Sequence, residues 1–452
     1  MKKNDLTRRR FIVSASAGTA GAMLTSYLPV FGNSGTGLTT ALALKGGKPV
    51  RTREWVSWPI WNPDAEAPML SVLRSGNWWR GSGNLCSEFE EQYAELIGAK
   101  RVVATASGTT ALITALHVLG VDAGDEVIVS PYTFIATYNV VFNSKALPVF
   151  ADTDQETFTI NPHKIEERIT DRTTAILPVH ILGLPADMNR INAIAQEHQL
   201  VVIEDACQAW LAEYGDKMCG TLGDLGCFSF QESKHIASGE GGAVVGSNDE
   251  VMDRCQAYHN CGRPYGASMA GMGQNPVRGS NKRMTQMQAV ILLSQMKRAR
   301  ADADKRLENA LYLDARLKEI PGIIPYKLSD GATRSAYHLY PFRYKKEHFD
   351  GLPRERFLTA LRAEGIPCSE GYGQQYFDGL IEEAISTRGY KRLFSEQRLN
   401  RYREELHDLP DNDQLTREAV WFYQNMLLSE REDMDDIIHA IQKIYENRKQ
   451  LL

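Results

Sequence analysis

No two of the seven cysteines stand in a C-x-x-C spacing, and their number is odd. Neither a disulfide framework nor a cysteine-based zinc site organises such a chain, and no metal is expected. Positive charge is not in surplus either, since 51 Lys and Arg against 56 Asp and Glu leave a formal net charge of -5. Without a basic field, no nucleic-acid partner is indicated. There is no internal repeat and no low-complexity tract beyond the first part of the chain. What remains is globular material, 43% hydrophobic and 24% charged over 452 residues, long enough for roughly two or three domains.

The amino-terminal segment is of another kind. Thr7 to Val13 reads TRRRFIV, and the run from Phe11 to Phe31 is uncharged and rich in Ala, Ser, Gly and Thr. A basic start followed by a weakly apolar stretch has the form of a targeting segment. Thr7, Arg8 and Arg9, then any residue, then Phe11 and Ile12, resemble a twin-arginine export signal. The expectation is a leader over residues 1–43 that sends the chain to the periplasm, with no stable membrane partner. An amino-terminal membrane anchor or a cytoplasmic location are the alternatives, although Gly, Ser and Thr make a poor membrane helix. Ala41-Leu42-Ala43 offers a small-residue cleavage site, which would start the folded part near Gly46.

From about residue 98 the pattern is strand, turn, helix, repeated. RVVATA (101–106), EVIVS (126–130), LPVFAD (147–152), TTAILPVH (173–180) and LVVIED (200–205) are apolar runs separated by segments of helical spacing. Val- and Ile-rich runs between helices imply an α/β fold with a mainly parallel central sheet covered by helices on both faces. Ligands in such sheets gather at the carboxyl ends of the strands. One long amphipathic helix is expected from Met284 to Leu313, followed by a smaller region with its own strand, AYHLYPFRY. The expected division is 44–300 for a large domain and 301–452 for a smaller carboxyl-terminal α+β domain.

Chemistry-bearing residues fall at interpretable places in this pattern. Asp205 ends a strand, where a buried carboxylate is costly without a cation. ATASGTTAL runs from a strand into a helix, so Ser107, Gly108 and Thr109 would offer backbone N–H groups and a helix amino terminus to an anion. Lys234 sits on a tight hairpin, CFSFQESKHIASGEGGAVV, whose glycines 239, 241 and 242 permit a close reversal. A free lysine is almost wholly protonated at pH 7, so a nucleophilic one must be desolvated or covalently bonded. An anion cradle, a strand-tip Asp and a Schiff-base Lys together describe a site for pyridoxal 5'-phosphate.

IEDACQA, GDLGCFSFQESKHIASGEGGAVV, ASGTTAL, PYTFIATYNVV, VHILGLPADM and RGSNKRMTQMQAVI each resemble a motif of the DegT/DnrJ/StrS aminotransferases, and the six occur along the chain in that family's order. The resemblance implies fold type I, the pyridoxal phosphate-dependent aminotransferase fold, and transfer of an amino group from glutamate or glutamine to a keto sugar or cyclitol ketone. It makes Lys234 the Schiff-base and proton-shuttling lysine and Asp205 the partner of the pyridinium nitrogen. Gln208 is placed near the ring hydroxyl and Phe134 on the ring face, while Gly108, Thr109, Ser107 and Ser229 hold the phosphate. Asn281 resembles a phosphate contact given by a neighbouring subunit, which implies a homodimer with shared sites. His180 and His338 are candidates for substrate contact.

The chain also departs from the family pattern. Trp210-Leu211 stands where the family often has His-Gly, and GYGQQYF (371–377) and LPDNDQLTREAV (409–420) differ where substrate is chosen. Two alternatives stay open at this point. One is a sugar dehydratase on the same scaffold, whose members replace the lysine by histidine; the other is a catalytically silent binding or regulatory protein.

Overall fold

Strands that are apolar along their whole length cannot leave either face to water, and the chain buries them in one seven-stranded sheet. The computed structural model describes residues 41–452, so the expected leader and its export motif lie outside the described residues up to position 40. Helices α1 (Glu66–Ser75) and α2 (Leu85–Ile97) come first. The alternation then runs β1 (Arg101–Thr105), α3 (Gly108–Val118), β2 (Glu126–Val129), α4 (Ala136–Asn143), β3 (Leu147–Phe150), β4 (Thr173–Leu177), α5 (Met188–His198) and β5 (Val201–Asp205). The short β6 (Glu213–Tyr214) and β7 (Lys217–Met218) precede the hairpin of β8 (Leu225–Ser229) and β9 (Gly242–Gly246), which α6 (Asp249–His259) follows.

The order across the sheet is β1-β9-β8-β5-β4-β2-β3. β9 runs against both its neighbours, and the remaining adjacent pairs are parallel. The carboxyl ends of β1, β2, β5 and β8 therefore open on one edge, where a ligand is expected. Register brings particular residues together there, because Gly242 of β9 pairs with Thr105 on one side and Ser229 on the other. The next pair in, Asp205 and Cys227, is aligned across β5 and β8.

The helix expected from Met284 to Leu313 is two helices, α7 (Gln286–Met296) and α8 (Ala299–Leu317). The break falls at Arg298, which leaves helical geometry at φ -106° and ψ -6°. Just before it, Ser294 donates to Asp64, Lys297 pairs with Asp64, and Gln295 donates to the Ile60 carbonyl. Side chains bound to a crossing segment fix α7 in its own direction, so amphipathic spacing alone does not keep the axis straight.

A second sheet follows, built from β10 (Ile323–Pro325), β12 (Leu339–Tyr344), β13 (Ser369–Glu370) and β14 (Ala419–Tyr423), while β11 (Ala332–Arg334) pairs with β6. Helices α9 (Arg354–Ala363) and α14 (Arg431–Glu446) share its apolar core with Leu42, Tyr132 and Leu182. Leu42 is 1% exposed and the Ala43 N–H donates to Glu364, so packed structure begins upstream of the expected start near Gly46. Between them, α10 (Leu380–Ile385), α11 (Tyr390–Leu393), α12 (Glu396–Glu405) and α13 (Pro410–Glu418) make a detour. The stretch from Tyr376 to Leu409 packs its apolar side chains with those of α3, α4 and β2 in the first sheet's core. Cut at residue 300, the chain would strip that core of one wall. Among the described residues, no helix is long and apolar enough to cross a membrane.

One ion pair holds the detour to the sheet. Glu126 of β2 is fully buried and accepts from Arg398 Nε of α12 at 2.6 Å and from Thr170 Oγ1 at 2.9 Å. Arg398→Met leaves that carboxylate uncompensated and is expected to cost about 3–5 kcal/mol in urea unfolding. Combining it with Glu126→Gln should recover most of the loss, and a double variant as unstable as the single one would show that the pair is not the tether.

Candidate active site

Neighbouring residues on a strand face opposite sides, and β5 ends in two carboxylates with different fates. Glu204 is fully buried and saturated: it accepts from the N–H groups of Gly220, Leu222 and Gly223 at 2.7, 2.6 and 2.6 Å and from His180 Nε2 at 2.8 Å. Asp205, 5% exposed, accepts only from Thr137 Oγ1 at 2.9 Å and the Cys207 N–H at 3.2 Å. Among the described residues no Lys, Arg or His reaches it at ion-pair distance. A buried carboxylate left this way favours a cation, and the protonated nitrogen of a pyridine ring would supply one. Thr137 lies on the first turn of α4 and donates its N–H to the Phe134 carbonyl at 3.0 Å. Phe134 is thereby held close to the Asp205 side of the sheet edge, with its ring half exposed.

An anion cradle stands at the amino end of α3. Ser107 caps the helix in a reciprocal pair with Thr110, so its hydroxyl is engaged, while the N–H groups of Gly108 and Thr109 have no protein acceptor among the described residues. These are unpaired first-turn donors at the positive end of a helix dipole. Only glycine fits at 108, since a Cβ there would lie 2.8 Å from Ser229 Cβ and 2.9 Å from Cys207 Sγ. Gly242 is equally constrained, its hypothetical Cβ being 2.3 Å from the Ser107 carbonyl. The two glycines let β1, β8 and β9 crowd together, which sets Ser229 beside the cradle.

Lys234 projects from the β8–β9 loop, a reversal closed by hydrogen bonds from Phe230 N to Gly241 O and Glu232 N to Gly239 O, with Gly239 at φ +80°. Trp58 Nε1 donates to the Lys234 carbonyl at 3.1 Å. The amine Nζ lies 3.4 Å from His338 Nε2. Burial lowers Lys234 below its ordinary value, against the pull of Cys207 and Asp205. His338 and His235 are held well below theirs by burial and by the nearby charges of Lys234 and Arg306. The two imidazoles meet edge to face at 5.7 Å.

The other sequence candidates divide. Gln208 is buried, accepts from the Leu182 N–H at 2.7 Å and donates to Tyr372 Oη at 3.0 Å. Asn281 is exposed, bridged to Asn260 next to the segment that pairs with Thr105 and Ala106. His180 is corrected: it is fully buried, with Nε2 on Glu204 and Nδ1 accepting from the Ala186 N–H at 3.0 Å. With both nitrogens engaged in the core it has none for a substrate, and its part is to orient Glu204.

Sequence reading did not single out Thr137, Glu204, Trp58, Arg306 or Tyr372. Thr137 sits one helical turn from Phe134 in the quoted YTFIAT motif, a signal that could have found it. Tyr372 comes from the unfamiliar GYGQQYF stretch, and no spacing announces its contact with Gln208. Burial pushes its hydroxyl up to about 12, so it stays protonated. Trp210 is a core residue behind the site, donating Nε1 to the Ser229 carbonyl at 3.2 Å. Leu211 takes φ +56°, a conformation glycine adopts without cost, which accounts for a glycine at that place in the family pattern.

The buried neutral imidazoles carry a pH signature. His235 and His338 lie well below 6.5, and burial with the adjacent Arg80 lowers His259 to about 3. As pH falls below 6.5 the unfolded chain takes up protons that the folded chain refuses, so this stability is present above 6.5 and is lost on acidification. Each such group adds up to about 1.4 kcal/mol per pH unit. Urea midpoints should fall between pH 7.5 and pH 5, and less steeply in His235→Asn; equal slopes in the two proteins would refute the assignment for His235.

Comparison with known proteins agrees with this geometry. The DegT/DnrJ/EryC1/StrS aminotransferase family profile matches residues 63–442. An L-glutamine:2-deoxy-scyllo-inosose aminotransferase of Micromonospora echinospora is 33% identical over 425 residues, covering 91% of this chain and 99% of its own. The enzyme of the same description from Streptomyces fradiae is 33% identical over 419 residues, covering 90% and 98%. Among solved structures, an aminotransferase from Psychrobacter cryohalolentis superposes with a TM-score of 0.75 at 32% identity over 88% of this chain and all of that one. 3-Amino-5-hydroxybenzoic acid synthase gives 0.74 at 28% over the same shares. The fold is thus that of a fold type I, pyridoxal phosphate-dependent enzyme, and the chain belongs to the DegT/DnrJ/EryC1/StrS aminotransferase family.

Proposed function

We propose that the chain transfers the amino group of L-glutamine to the ketone of a cyclitol of the scyllo-inosose type. The observation that carries this reading is the convergence of Lys234, Asp205 and the amino end of α3 on one sheet edge, in a chain resembling glutamine:cyclitol aminotransferases over nine-tenths of its length. Bound there, pyridoxal phosphate supplies an aldehyde on which amines exchange and a ring that takes up electrons. The protein residues do the rest. Gly108 N, Thr109 N and Ser229 would hold the phosphate, Asp205 would face the ring nitrogen, and Phe134 would supply the stacking ring. Gln208, braced by Leu182 and Tyr372, would meet the ring hydroxyl.

Lys234 Nζ is the proton carrier. Its burial favours the neutral amine, which can take a proton from one carbon and return it to another. His338 Nε2, itself kept neutral, accepts the hydrogen bond of the amine and holds it in place. The presence of Lys234 favours this reading over the dehydratase, and the intact set of site residues favours it over a silent binding protein.

Two further parts of the proposal concern context. The exposed Asn281, beside the segment paired with Thr105, suits a phosphate contact to the site of a second copy in a homodimer. The Arg8-Arg9 segment suits export to the periplasm, where a free cyclitol is a more accessible acceptor than a nucleotide-linked sugar.

Purified protein incubated with L-glutamine and scyllo-inosose is expected to yield an aminocyclitol by mass spectrometry. The holoenzyme should also absorb at roughly 410 to 430 nm. In Lys234→Ala the band should vanish and transfer should drop by about a thousandfold or more. Transfer only to keto sugars would overturn the acceptor class, and a colourless protein inert with every donor would overturn the enzyme.

A further inference from the structure

Behind Lys234 the protein gathers positive charge and ring nitrogens with no acid among them. Arg306, on α8, is 1% exposed. Its Nε and Nη2 both donate to one neutral acceptor, Gln424 Oε1, at 2.9 and 2.5 Å. Asp302, one turn back, is already paired with Arg298 at 2.7 Å. Arg306 Nη1 has no protein partner among the described residues. The guanidinium lies 5.3 Å over the Trp58 ring, whose Nε1 is bonded to the Lys234 carbonyl. His235 and His338 are each more than nine-tenths buried; Nδ1 of His338 has no protein partner among the described residues, and His235 lies against the Ala336 and Tyr337 backbone without a hydrogen bond of good geometry at either ring nitrogen. A buried guanidinium is costly unless a carboxylate or comparable anion meets it.

The proposed transfer supplies such an anion here. The amino donor places its nitrogen where Lys234 Nζ stands, and the α-carboxylate of an amino acid is two bonds from that nitrogen, about 2.5 Å away. The carboxylate therefore falls beside the His338 ring, whose Nε2 lies 3.4 Å from Nζ and accepts from the amine, which leaves Nδ1, without a protein partner, as its N–H donor. The phosphate of the cofactor is accounted for at the far side, on α3, and a cyclitol ketone carries no charge to offset a guanidinium. Resting on the proposed transfer from an amino acid, we infer that Arg306, His235 and His338 form the subsite that receives the α-carboxylate of the amino donor, with Arg306 as its fixed charge and His235 as a neutral N–H donor. Gln424 and Trp58 position the guanidinium. The same subsite gives the enzyme a reason to reject simple amines, which lack the carboxylate and leave the charge unmet.

The test uses the holoenzyme and separates donor from acceptor. In Arg306→Met the half-saturating L-glutamine concentration is expected to rise on the order of 10- to 100-fold, the value for the ketone staying within about twofold. Binding of glutarate, a carboxylate that cannot transfer an amine, should weaken to a similar degree by calorimetry. L-Glutamine α-amide should react poorly with the wild type. Where circular dichroism shows Arg306→Met unfolded, His235→Asn carries the test with an expected weakening of about 5- to 10-fold. Unchanged glutarate binding in a folded variant, or an α-amide used as well as glutamine, overturns the subsite. Wild-type protein that uses no amino acid would instead overturn the proposed function, and glutarate binding in wild type against variant would still decide the subsite.

Discussion

The site depends on one charge that the protein declines to neutralise. Asp205 is carried into the interior by the last residue of a buried strand and is given only a hydroxyl and one backbone N–H. Desolvating a carboxylate costs several kcal/mol, and its neighbour Glu204 shows what full compensation looks like, with three backbone donors and an imidazole. The contrast between adjacent residues argues that the deficit at Asp205 is selected by the geometry of the strand end. In the proposed site a ring nitrogen held beside this carboxylate would stay protonated and the ring would draw electrons more strongly, so the deficit at Asp205 would serve both binding and chemistry.

The opposite corner of the site is arranged with the reverse sign. Lys234, His235, His338 and Arg306 crowd together in a dry environment, where burial depresses the imidazoles and the amine and the nearby cations depress the imidazoles further. Like charges at close range cannot all remain protonated. The Arg306 guanidinium stays charged, while burial favours the neutral forms of the amine and the two imidazoles. A neutral amine next to a neutral imidazole is the state that proton transfer requires. The fixed guanidinium thus serves two ends, maintaining that state and offering a counter-charge to an incoming carboxylate.

Much of this was legible in the chain. Val- and Ile-rich runs mark buried parallel strands because no other environment accepts them, and the strand-tip Asp205, the capped start of α3 and the glycine hairpin around Lys234 follow from local chemistry. Sequence patterns are silent on what is assembled from afar. Thr137 reaches Asp205 across 68 positions and Tyr372 reaches Gln208 across 164, and tertiary packing alone selects such partners. His180 shows the converse error, since an imidazole on an apolar strand end reads the same whether it faces a substrate or a buried Glu204. The break at Arg298 and the detour from Tyr376 to Leu409 likewise answer to side chains of distant segments.

The two sheets are joined where the site needs them to be rigid. Leu182 and Tyr337 hold φ of +60° and +56°, a region that costs a side-chain-bearing residue about 1–2 kcal/mol, and Gly183 between them has φ +93° with no room for a Cβ against the Tyr337 and His338 nitrogens. The contact is closed by Ala336 N to Gly183 O at 2.9 Å and Ser335 Oγ to Gly183 O at 3.0 Å. Strain of this kind persists only where the surroundings overdetermine it. Here it sets the Leu182 N–H on Gln208 and, one residue beyond Tyr337, His338 on Lys234. The Gln208 amide follows the first sheet's β5 and the His338 imidazole stands at the entry to the second, so a relaxed backbone at 182 or 337 would separate two groups that the proposed site uses together. The strained junction therefore fixes Gln208 and Lys234 relative to one another through Leu182 and His338.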